Sequence, residues 1–329
     1  MSFMKSILGA AATLALTAGA SLADPALIYD LGGKFDKSFN EAAFNGAKRW
    51  VEETGGSYKE LEMQSEAQRE QALRRLAESG ANPIITTGFA FGDTLNTVAP
   101  DYPDTKFAII DSVVDLPNVR SVVFKEEQGS YLVGMLAAEA SKSGTVGFIG
   151  GMDIPLIRKF ACGYVQGAKA ANPDIKVVQA MTGTTPSAWN DPVKGAELAK
   201  AQISQGADVI YAAAGGTGIG ILQAAADENI LSIGVDSNQN MLHPGKVLTS
   251  MVKRVDNAVY DMFTAGPDME TGVVTLGLAD DGVGYAMDEN NADLVTAEMR
   301  APVDAAAKKI ADGELEVHDY TTDSTCPVE

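Results

Sequence analysis

Three carboxylates in the sequence each follow directly on a short apolar run. Asp30, Asp111 and Asp236 come after the runs LIY, FAII and IGV. Such runs are typical of buried strands, and parallel α/β sheets bind ligands at the carboxyl ends of their strands. Carboxylate oxygens only accept hydrogen bonds, so three at one edge favour a ligand rich in N–H and O–H groups and disfavour an anion. For any one of them, a helix N-cap is the alternative.

Large aromatic side chains occur in the turns predicted near these carboxylates. Phe39, Phe89, Phe91 and Trp189 have polar or small neighbours, where a ring has no obvious core position. A stacked ring adds about 0.5–1.5 kcal/mol beyond the area it buries, so a pair could sandwich a planar ligand. We expect Phe39 and Trp189, one from each half of the chain, to form that pair. Packing beneath the loops is the alternative, and for Phe91 and Phe35 it is equally well supported.

Glycine-containing turns follow predicted strands in both halves of the chain. The first runs from Asp30 through a Gly pair and enters a helix at Phe39 and Asn40. A later turn, GGTGIG at 215–220, has the spacing GxGxG rather than the GxGxxG of dinucleotide sites. We therefore expect Gly215 to let the backbone approach a small ligand, and we expect no cofactor.

Short apolar runs of strand type alternate with amphipathic helical patterns from Leu27 to Met251. This alternation predicts parallel βαβ units, and therefore an α/β fold with two similar halves. We place a hinge near Lys125 and expect the chain to return to the first half after Met251. From about Val273 onward the patterning is too weak to assign.

Composition narrows the class of partner. The formal net charge of −19 is spread along the chain, which argues against a nucleic acid or an anionic membrane as partner. About 300 mature residues exceed what one core usually serves, so two domains are expected. The predicted first lobe comprises residues 24–125 with about 252–278, and the second comprises 126–251 with about 279–329.

The first 23 residues have the features of a secretory signal peptide. Lys5 precedes an apolar stretch too short to span a bilayer, and Ser21-Leu22-Ala23 supplies small residues before a cut. We expect the mature chain to begin at Asp24 and to be free in the periplasm. No cysteine follows the cut, which argues against a lipoprotein or other direct membrane anchor. An uncleaved N-terminal anchor is the alternative.

The chain has two cysteines, Cys162 and Cys326, which lie far apart in sequence. In an exported protein such a pair is a candidate disulfide, while two free thiols are the alternative. There is no CxxC, and the only histidines are His243 and His318, so we expect no metal site.

Catalysis finds little support in the sequence. There is no GxSxG elbow and no HExxH pair, and neither histidine follows a predicted strand. A hydrolase that uses paired carboxylates stays open as an alternative, but it lacks a run of acidic metal ligands near the N-terminus. We therefore expect a binding protein rather than an enzyme.

Four long segments together resemble one known family. They are DLGGKFDKSFNEAAFNG, GGMDIPLIRKFACGYVQGAK, WNDPVKGAELAKAQISQGADVIYAAAGGTG, and IGVDSNQN with the later TSMVKRVDNAVYD. The chain is similar in these to the basic membrane protein (BMP) family of substrate-binding proteins. The resemblance implies a type I periplasmic-binding-protein fold, with two doubly wound lobes joined by three crossovers. It also implies a purine nucleoside receptor that delivers its ligand to the permease subunits of an ABC importer.

The resemblance also implies roles for individual residues. Asp30 and Asp111 would bind the purine edge, and Asp236 with Lys253 would hold the ribose hydroxyls. The base would lie between Phe39 and Trp189. The remaining cleft residues implied in this way are Asn40, Phe89 and Gly215. The chain departs from its relatives in having Trp189 where they commonly have Phe, and in having no lipobox cysteine.

Other ligands stay open at this point. A free nucleobase, a sugar or another polar heterocycle would suit the same strand-end carboxylates, since one contact decides whether a substituent is admitted. A transcription regulator can share this fold, but it needs an N-terminal helix-turn-helix where this chain has a signal peptide. The particular nucleoside, the oligomeric state and the identity of the permease are not assigned.

Overall fold

The strands form where apolar and β-branched residues cluster, and most of them are buried on both faces. The computed structural model describes residues 23–328, so the predicted signal peptide lies outside the described residues except for Ala23. The strands are β1 (Ala26–Tyr29), β2 (Lys59–Glu62), β3 (Ile84–Thr87), β4 (Phe107–Ile110), β5 (Val119–Phe124), β6 (Thr145–Met152), β7 (Lys176–Gly183), β8 (Val209–Ala213), β9 (Leu231–Asp236), β10 (Val247–Lys253), β11 (Gly272–Leu276) and β12 (Val283–Tyr285).

Helices separate most consecutive strands, whereas β4 and β5, β9 and β10, and β11 and β12 are joined without an α-helix. They are α1 (Phe39–Thr54), α2 (Arg69–Glu78), α3 (Gly92–Val98), α4 (Glu126–Ala140), α5 (Pro155–Ala171), α6 (Pro192–Ser204), α7 (Gly218–Asp227), α8 (Val255–Ala265) and α9 (Ala297–Ala311). Among the described helices, none is long and apolar enough to cross a membrane.

The strands are divided between two sheets of similar topology. The first has the order β11-β5-β4-β3-β1-β2 and is parallel throughout. The second has the order β12-β10-β9-β8-β6-β7 and is parallel except for β12. The predicted α/β class with two doubly wound sheets is confirmed. We call the parts built on these sheets the first and second lobes.

Within residues 23–328 the chain passes between the sheets three times. The passages follow β5, β10 and β11, at Lys125, at Arg254 and at residues 277–282. They are hydrogen-bonded to one another, since the Lys125 amide donates to Leu276 O at 2.9 Å and the Arg254 amide donates to Gly282 O at 2.9 Å. The domain ranges given above stay a prediction.

The segment that the sequence left unassigned forms β11, β12 and α9. Strand β11 lies at the edge of the first sheet, with Val273 54% exposed, and β12 has only three residues. An edge strand and a very short one show little of the apolar alternation by which strands are recognised.

Helices α4 and α5 pack closely in the second lobe because glycines face the partner backbone. A Cβ on Gly167 would lie 1.8 Å from Tyr131 O, and one on Gly163 would lie 2.4 Å from Glu127 O. The C-terminal segment is joined to α5 by a disulfide between Cys162 and Cys326, with Cα atoms 5.6 Å apart. The start of α4 and the middle of α5 thus lie beside the first passage between the lobes.

Candidate functional site

A cavity of about 680 Å³, its open mouth included, lies between the two lobes at the carboxyl ends of the strands. All the site residues predicted from the sequence line this cavity: Asp30, Phe39, Asn40, Phe89, Asp111, Trp189, Gly215, Asp236 and Lys253. The fold therefore brings together the residues predicted from the strand ends and those implied by the resemblance.

One wall of the cavity was not predicted from the sequence. Leu156, Ile157 and Phe160 reach it from the first turns of α5. The helix follows β6, so the same rule about strand ends applies to it. A run of apolar residues at a helix start is also what core packing requires, and that is why it gave no separate signal.

Asp30 is fixed by a buried arginine that the sequence analysis also missed. Arg69, at the start of α2, is 5% exposed and donates to Asp30 Oδ1 from Nη2 at 2.8 Å and from Nε at 3.2 Å. Burial raises the pKa of Asp30, and the Arg69 guanidinium opposes that shift. Arg69 shares a helical face with Ala72, Leu73 and Leu76, so its place on an apolar face was the available signal.

The Asn40 side chain holds the loop after β1. Its Nδ2 donates to Asp30 O and to Gly33 O, both at 3.2 Å, and its Oδ1 accepts from Thr87 Oγ1 at 2.9 Å. These bonds use both donors of the amide. Asn40 therefore lines the cavity mainly by fixing the backbone around Asp30.

Trp189 packs against apolar side chains of the core and also lies over backbone. A Cβ on Gly151, near the end of β6, would come within 2.2 Å of Trp189 Cζ3 and 2.4 Å of its Cε3. On Gly215 a Cβ would lie 3.7 Å from Cε3. The indole is thus seated on two glycines, one from each of two neighbouring strand ends. Phe91 and Phe35 do not line the cavity, because Phe91 is buried in the core of the first lobe and Phe35 is 61% exposed.

Lys253, the last residue of β10, is a buried cation at the floor of the cavity. Its Nζ lies 2.6 Å from Asp111 Oδ1 and 2.9 Å from Glu126 Oε1, and the lysine side chain is 1% exposed. Burial would lower the pKa of Lys253, but the surrounding carboxylates, chiefly Asp111 and Glu126, raise it above its ordinary value. Lys253 is therefore charged at neutral pH.

A row of alternating charges leads from Lys253 into the second lobe. Glu126, the first residue of α4, bridges Lys253 to Lys159, whose Nζ lies 3.1 Å from Glu126 Oε2. Lys159 also lies 3.4 Å from Asp319 in the segment joined by the disulfide. Burial would raise the pKa of Glu126, but Lys253 and Lys159 hold it below its ordinary value. The sequence showed Glu126 only as an acidic residue at a helix start, which is normally solvated.

Asp236 is hydrogen-bonded to Ser38 across the cavity edge. Its Oδ2 accepts from Ser38 Oγ at 2.5 Å, while the ion pairs of Lys253 go to Asp111 and Glu126. Burial raises the pKa of Asp236 to about 6, and Lys253 opposes that shift. The backbone of Asp236 has φ 63° and that of Asp111 has φ 72°. Left-handed backbone in residues with a Cβ is uncommon and tends to occur at functional sites.

A sequence profile described as Bmp, ABC transporter substrate-binding protein PnrA-like, matches residues 26–320. An uncharacterized lipoprotein of Pyrococcus abyssi is 35% identical over 278 residues, which cover 79% of this chain and 68% of the relative. The ABC transporter nucleoside-binding protein BmpA of Lactococcus lactis is 32% identical over 317 residues, which cover 89% of this chain and 88% of the relative.

Solved structures agree with the sequence comparison. An ABC transporter system solute-binding protein from Aeropyrum pernix K1 has a TM-score of 0.81 at 28% identity, covering 90% of this chain and 93% of that one. The predicted fold of two lobes around a ligand cleft is the fold of that protein. The chain therefore belongs to the Bmp family of PnrA-like ABC transporter substrate-binding proteins.

Proposed function

We propose that this substrate-binding protein captures a purine nucleoside in the cavity between its lobes and presents it to the permease of an ABC importer. The observation that carries the proposal is the cavity itself, where three strand-end carboxylates and one buried ammonium stand beside aromatic rings. The relative from Lactococcus lactis, named a nucleoside-binding protein, supports the same ligand class.

The base has an aromatic and acidic environment in the first lobe. Phe39 and Trp189 enter the cavity from different lobes, so a planar base between them would contact both. Arg69 holds Oδ1 of Asp30, which turns a fixed carboxylate edge toward the N–H groups of a purine. Hydrogen bonds to a charged acceptor contribute about 1.5–3 kcal/mol each when water is excluded.

The ribose has both donors and acceptors available at the cavity floor. Asp236 accepts from hydroxyls and Lys253 Nζ donates to them. Asp111 is paired with Lys253, so we place it at the ribose rather than at the purine edge implied by the resemblance. A sugar hydroxyl both donates and accepts, so a carboxylate next to an ammonium satisfies each of its polar atoms. This pairing distinguishes a nucleoside from a free base, which has no group to place there.

The charge balance of the cavity disfavours a nucleotide. Four lining carboxylates, Asp30, Asp36, Asp111 and Asp236, face one lining ammonium, Lys253, among the residues described. That ammonium is already held by Asp111 and Glu126. A phosphate would meet uncompensated negative charge in a buried site, which is strongly unfavourable. We therefore propose that nucleosides bind and their monophosphates do not.

Calorimetric titration of the ligand-stripped protein tests this proposal. We expect tight binding of one or more of guanosine, adenosine and inosine, and weak or no binding of uridine, free bases, ribose and nucleoside monophosphates. An Asp236→Ala protein should lose affinity for the nucleoside, whereas an Asp93→Ala protein, changed at an exposed site on α3, should not. Equal affinity of the Asp236→Ala and wild-type proteins for the nucleoside would contradict the proposal that Asp236 binds the ribose. Tight binding of a sugar or of a free base alone would show that the ligand is that compound and not a nucleoside.

We propose binding without turnover. Nucleoside incubated with the protein should be recovered unchanged by chromatography, and release of a free base would instead favour the paired-carboxylate hydrolase.

Release of the mature chain from the membrane stays a prediction, because the relative from Pyrococcus abyssi is named a lipoprotein. The intact mass of the protein isolated from cells tests both the predicted cut before Asp24 and the absence of a lipid.

A further inference from the structure

A group of hydrogen bonds joins the two lobes beside the cavity, and one of its residues, Asp236, is also a ligand contact proposed above. On the first lobe it involves Lys37 and Ser38, in the turn before α1. On the second lobe it involves residues 235–239, at the end of β9 and in the loop that follows. We call these two segments together the clasp.

The clasp has donors and acceptors on both sides. Ser38 Oγ is 2.5 Å from Asp236 Oδ2 and 3.3 Å from Val235 O. In the other direction, Ser237 Oγ donates to Ser38 O at 2.7 Å, and Gln239 Nε2 donates to Lys37 O at 2.8 Å. The hydrogen bonds therefore interlock the two segments through both side chains and backbone.

The clasp is buried and its geometry is fixed from within each lobe. Ser38 is fully buried and Gln239 is 1% exposed. The Gln239 amide is oriented by the Val235 N–H, which donates to its Oε1 at 2.8 Å. On the first lobe, the Asp36 carboxylate accepts from the backbone N–H of Ser38 at 2.8 Å. Hydrogen bonds within each lobe therefore fix the conformation of its own segment of the clasp.

Backbone conformation also marks the clasp as more than packing. Lys37 has φ 62° and Asp236 has φ 63°, so a residue with a Cβ adopts left-handed backbone on each side. Such conformations are unfavourable by themselves and persist where surrounding contacts hold them. Both residues take part in hydrogen bonds between the lobes, and the Lys37 N–H also donates to Glu41 Oε2 at 3.2 Å within the first lobe.

We propose that Ser38 is a positioning residue for ligand binding, and that the clasp it centres on stabilises the closed arrangement of the lobes. Ser38 Oγ donates to Oδ2 of Asp236 and so fixes the orientation of that carboxylate. The other oxygen, Oδ1, is then available to the ligand in a fixed orientation. The two segments belong to different sheets, so a rotation that opens the cavity separates them. The hydrogen bonds of the clasp therefore slow escape of the ligand.

This inference rests on the proposed function only for the identity of the ligand. The test compares Ser38→Ala with Ser237→Ala, which removes a bond from the half-buried side of the clasp. Ser121→Ala is the matched control, because Ser121 is a fully buried serine whose two hydrogen bonds both go to Val114 within the first lobe. One readout is the dissociation rate of a purine nucleoside measured by stopped-flow mixing.

A second readout needs no ligand. Spin labels on cysteines placed at Glu70 in α2 and Lys200 in α6, both exposed, report the separation of the lobes. The native cysteines form a disulfide and do not take the label.

Losing the Ser38 hydroxyl should speed dissociation roughly tenfold, since it removes a hydrogen bond to a charged acceptor and one to a carbonyl. Ser237→Ala should speed dissociation several-fold, and Ser121→Ala should leave it unchanged. In the labelled protein, Ser38→Ala should move the distance distribution toward larger separations.

Unchanged dissociation and an unchanged distance distribution in Ser38→Ala would overturn the clasp. Should no nucleoside bind the wild-type protein, the proposed function fails, and the distance distribution of the unliganded protein alone then decides: a shift supports the clasp and no shift overturns it.

Discussion

The contact between Gly151 and Trp189 allows a prediction with a worked magnitude. A methyl group at position 151 would lie 2.2 Å from Trp189 Cζ3, whereas carbon atoms in contact normally lie about 3.5–4.0 Å apart. In a Gly151→Ala protein the indole must therefore recede by more than about 1 Å. Because Trp189 lines the cavity, we expect this displacement to take up space that the ligand requires.

Forced overpacking of this kind costs about 1–3 kcal/mol, which corresponds to a loss of affinity of about 5- to 150-fold. The three atoms nearest to the new methyl group, Cε3, Cζ3 and Cη2, all belong to the six-membered ring of the indole. A phenylalanine has a single ring and leaves that volume free. The double variant Gly151→Ala with Trp189→Phe should therefore bind more tightly than Gly151→Ala alone.

Calorimetric titration with a purine nucleoside measures the affinity, and tryptophan emission reports the indole directly. The chain has two tryptophans, so in a Trp50→Phe background all tryptophan emission comes from Trp189. In that background, Gly151→Ala should change the emission without any ligand. Gly284→Ala in β12 is the matched control, because a Cβ there meets nothing within 4 Å.

Wild-type affinity and unchanged emission in Gly151→Ala would refute this reasoning. A double variant that binds no better than the single one would show that the loss arises elsewhere than at the indole.

Three further predictions follow from the charges and the disulfide. Burial raises the pKa of Asp236 to about 6. The affinity for a nucleoside should therefore fall from pH 7.5 to 5, because the protonated carboxyl group is a weaker hydrogen-bond acceptor than the carboxylate. An Asp236→Asn protein titrated in the same way should not show this pH dependence. Arg69→Met should lower the thermal midpoint of unfolding because it leaves Asp30 buried without its cation, and adding Asp30→Asn should restore part of the loss; no restoration would contradict the pairing. Replacing Cys162 and Cys326 by serine should let protease cut between residues 313 and 326, as mapped by mass spectrometry, whereas a cutting pattern like that of the oxidised wild type would contradict a tethered tail.

Much of the site was predictable because it depends on local pattern and one rule of topology. Asp30, Asp111 and Asp236 each follow an apolar run, and the carboxyl ends of parallel strands meet at one edge. Lys253 and Asn40 came from the resemblance and from the strand-to-helix turn. The cavity brings all of these residues together without needing any feature that the sequence hides.

What could not be predicted depends on contacts between residues far apart in the chain. Arg69, Glu126 and Lys159 look in the sequence like ordinary charges on helix surfaces, and only the packing of α2, α4 and α5 buries them. The same holds for Ser38, whose partner Asp236 lies 198 positions later. Sequence periodicity shows which face of a helix is apolar, but it does not show which distant carboxylate will meet a cation there.

The row of charges from Asp111 to Lys159 has a consequence for how this receptor can evolve. Lys253 ends the strand before one passage between the lobes, and Glu126 begins the helix after another. Lys253, which lines the cavity and is proposed to contact the ligand, therefore lies beside the passages between the lobes, and we call this region the pivot because an opening rotation would turn about it. A substitution that adapts Lys253 to a new ligand also alters the pivot, so selectivity and mechanics must change together. Substitutions at Trp189 and Gly151 do not alter the pivot. We therefore expect new ligand preferences to arise first at these two positions.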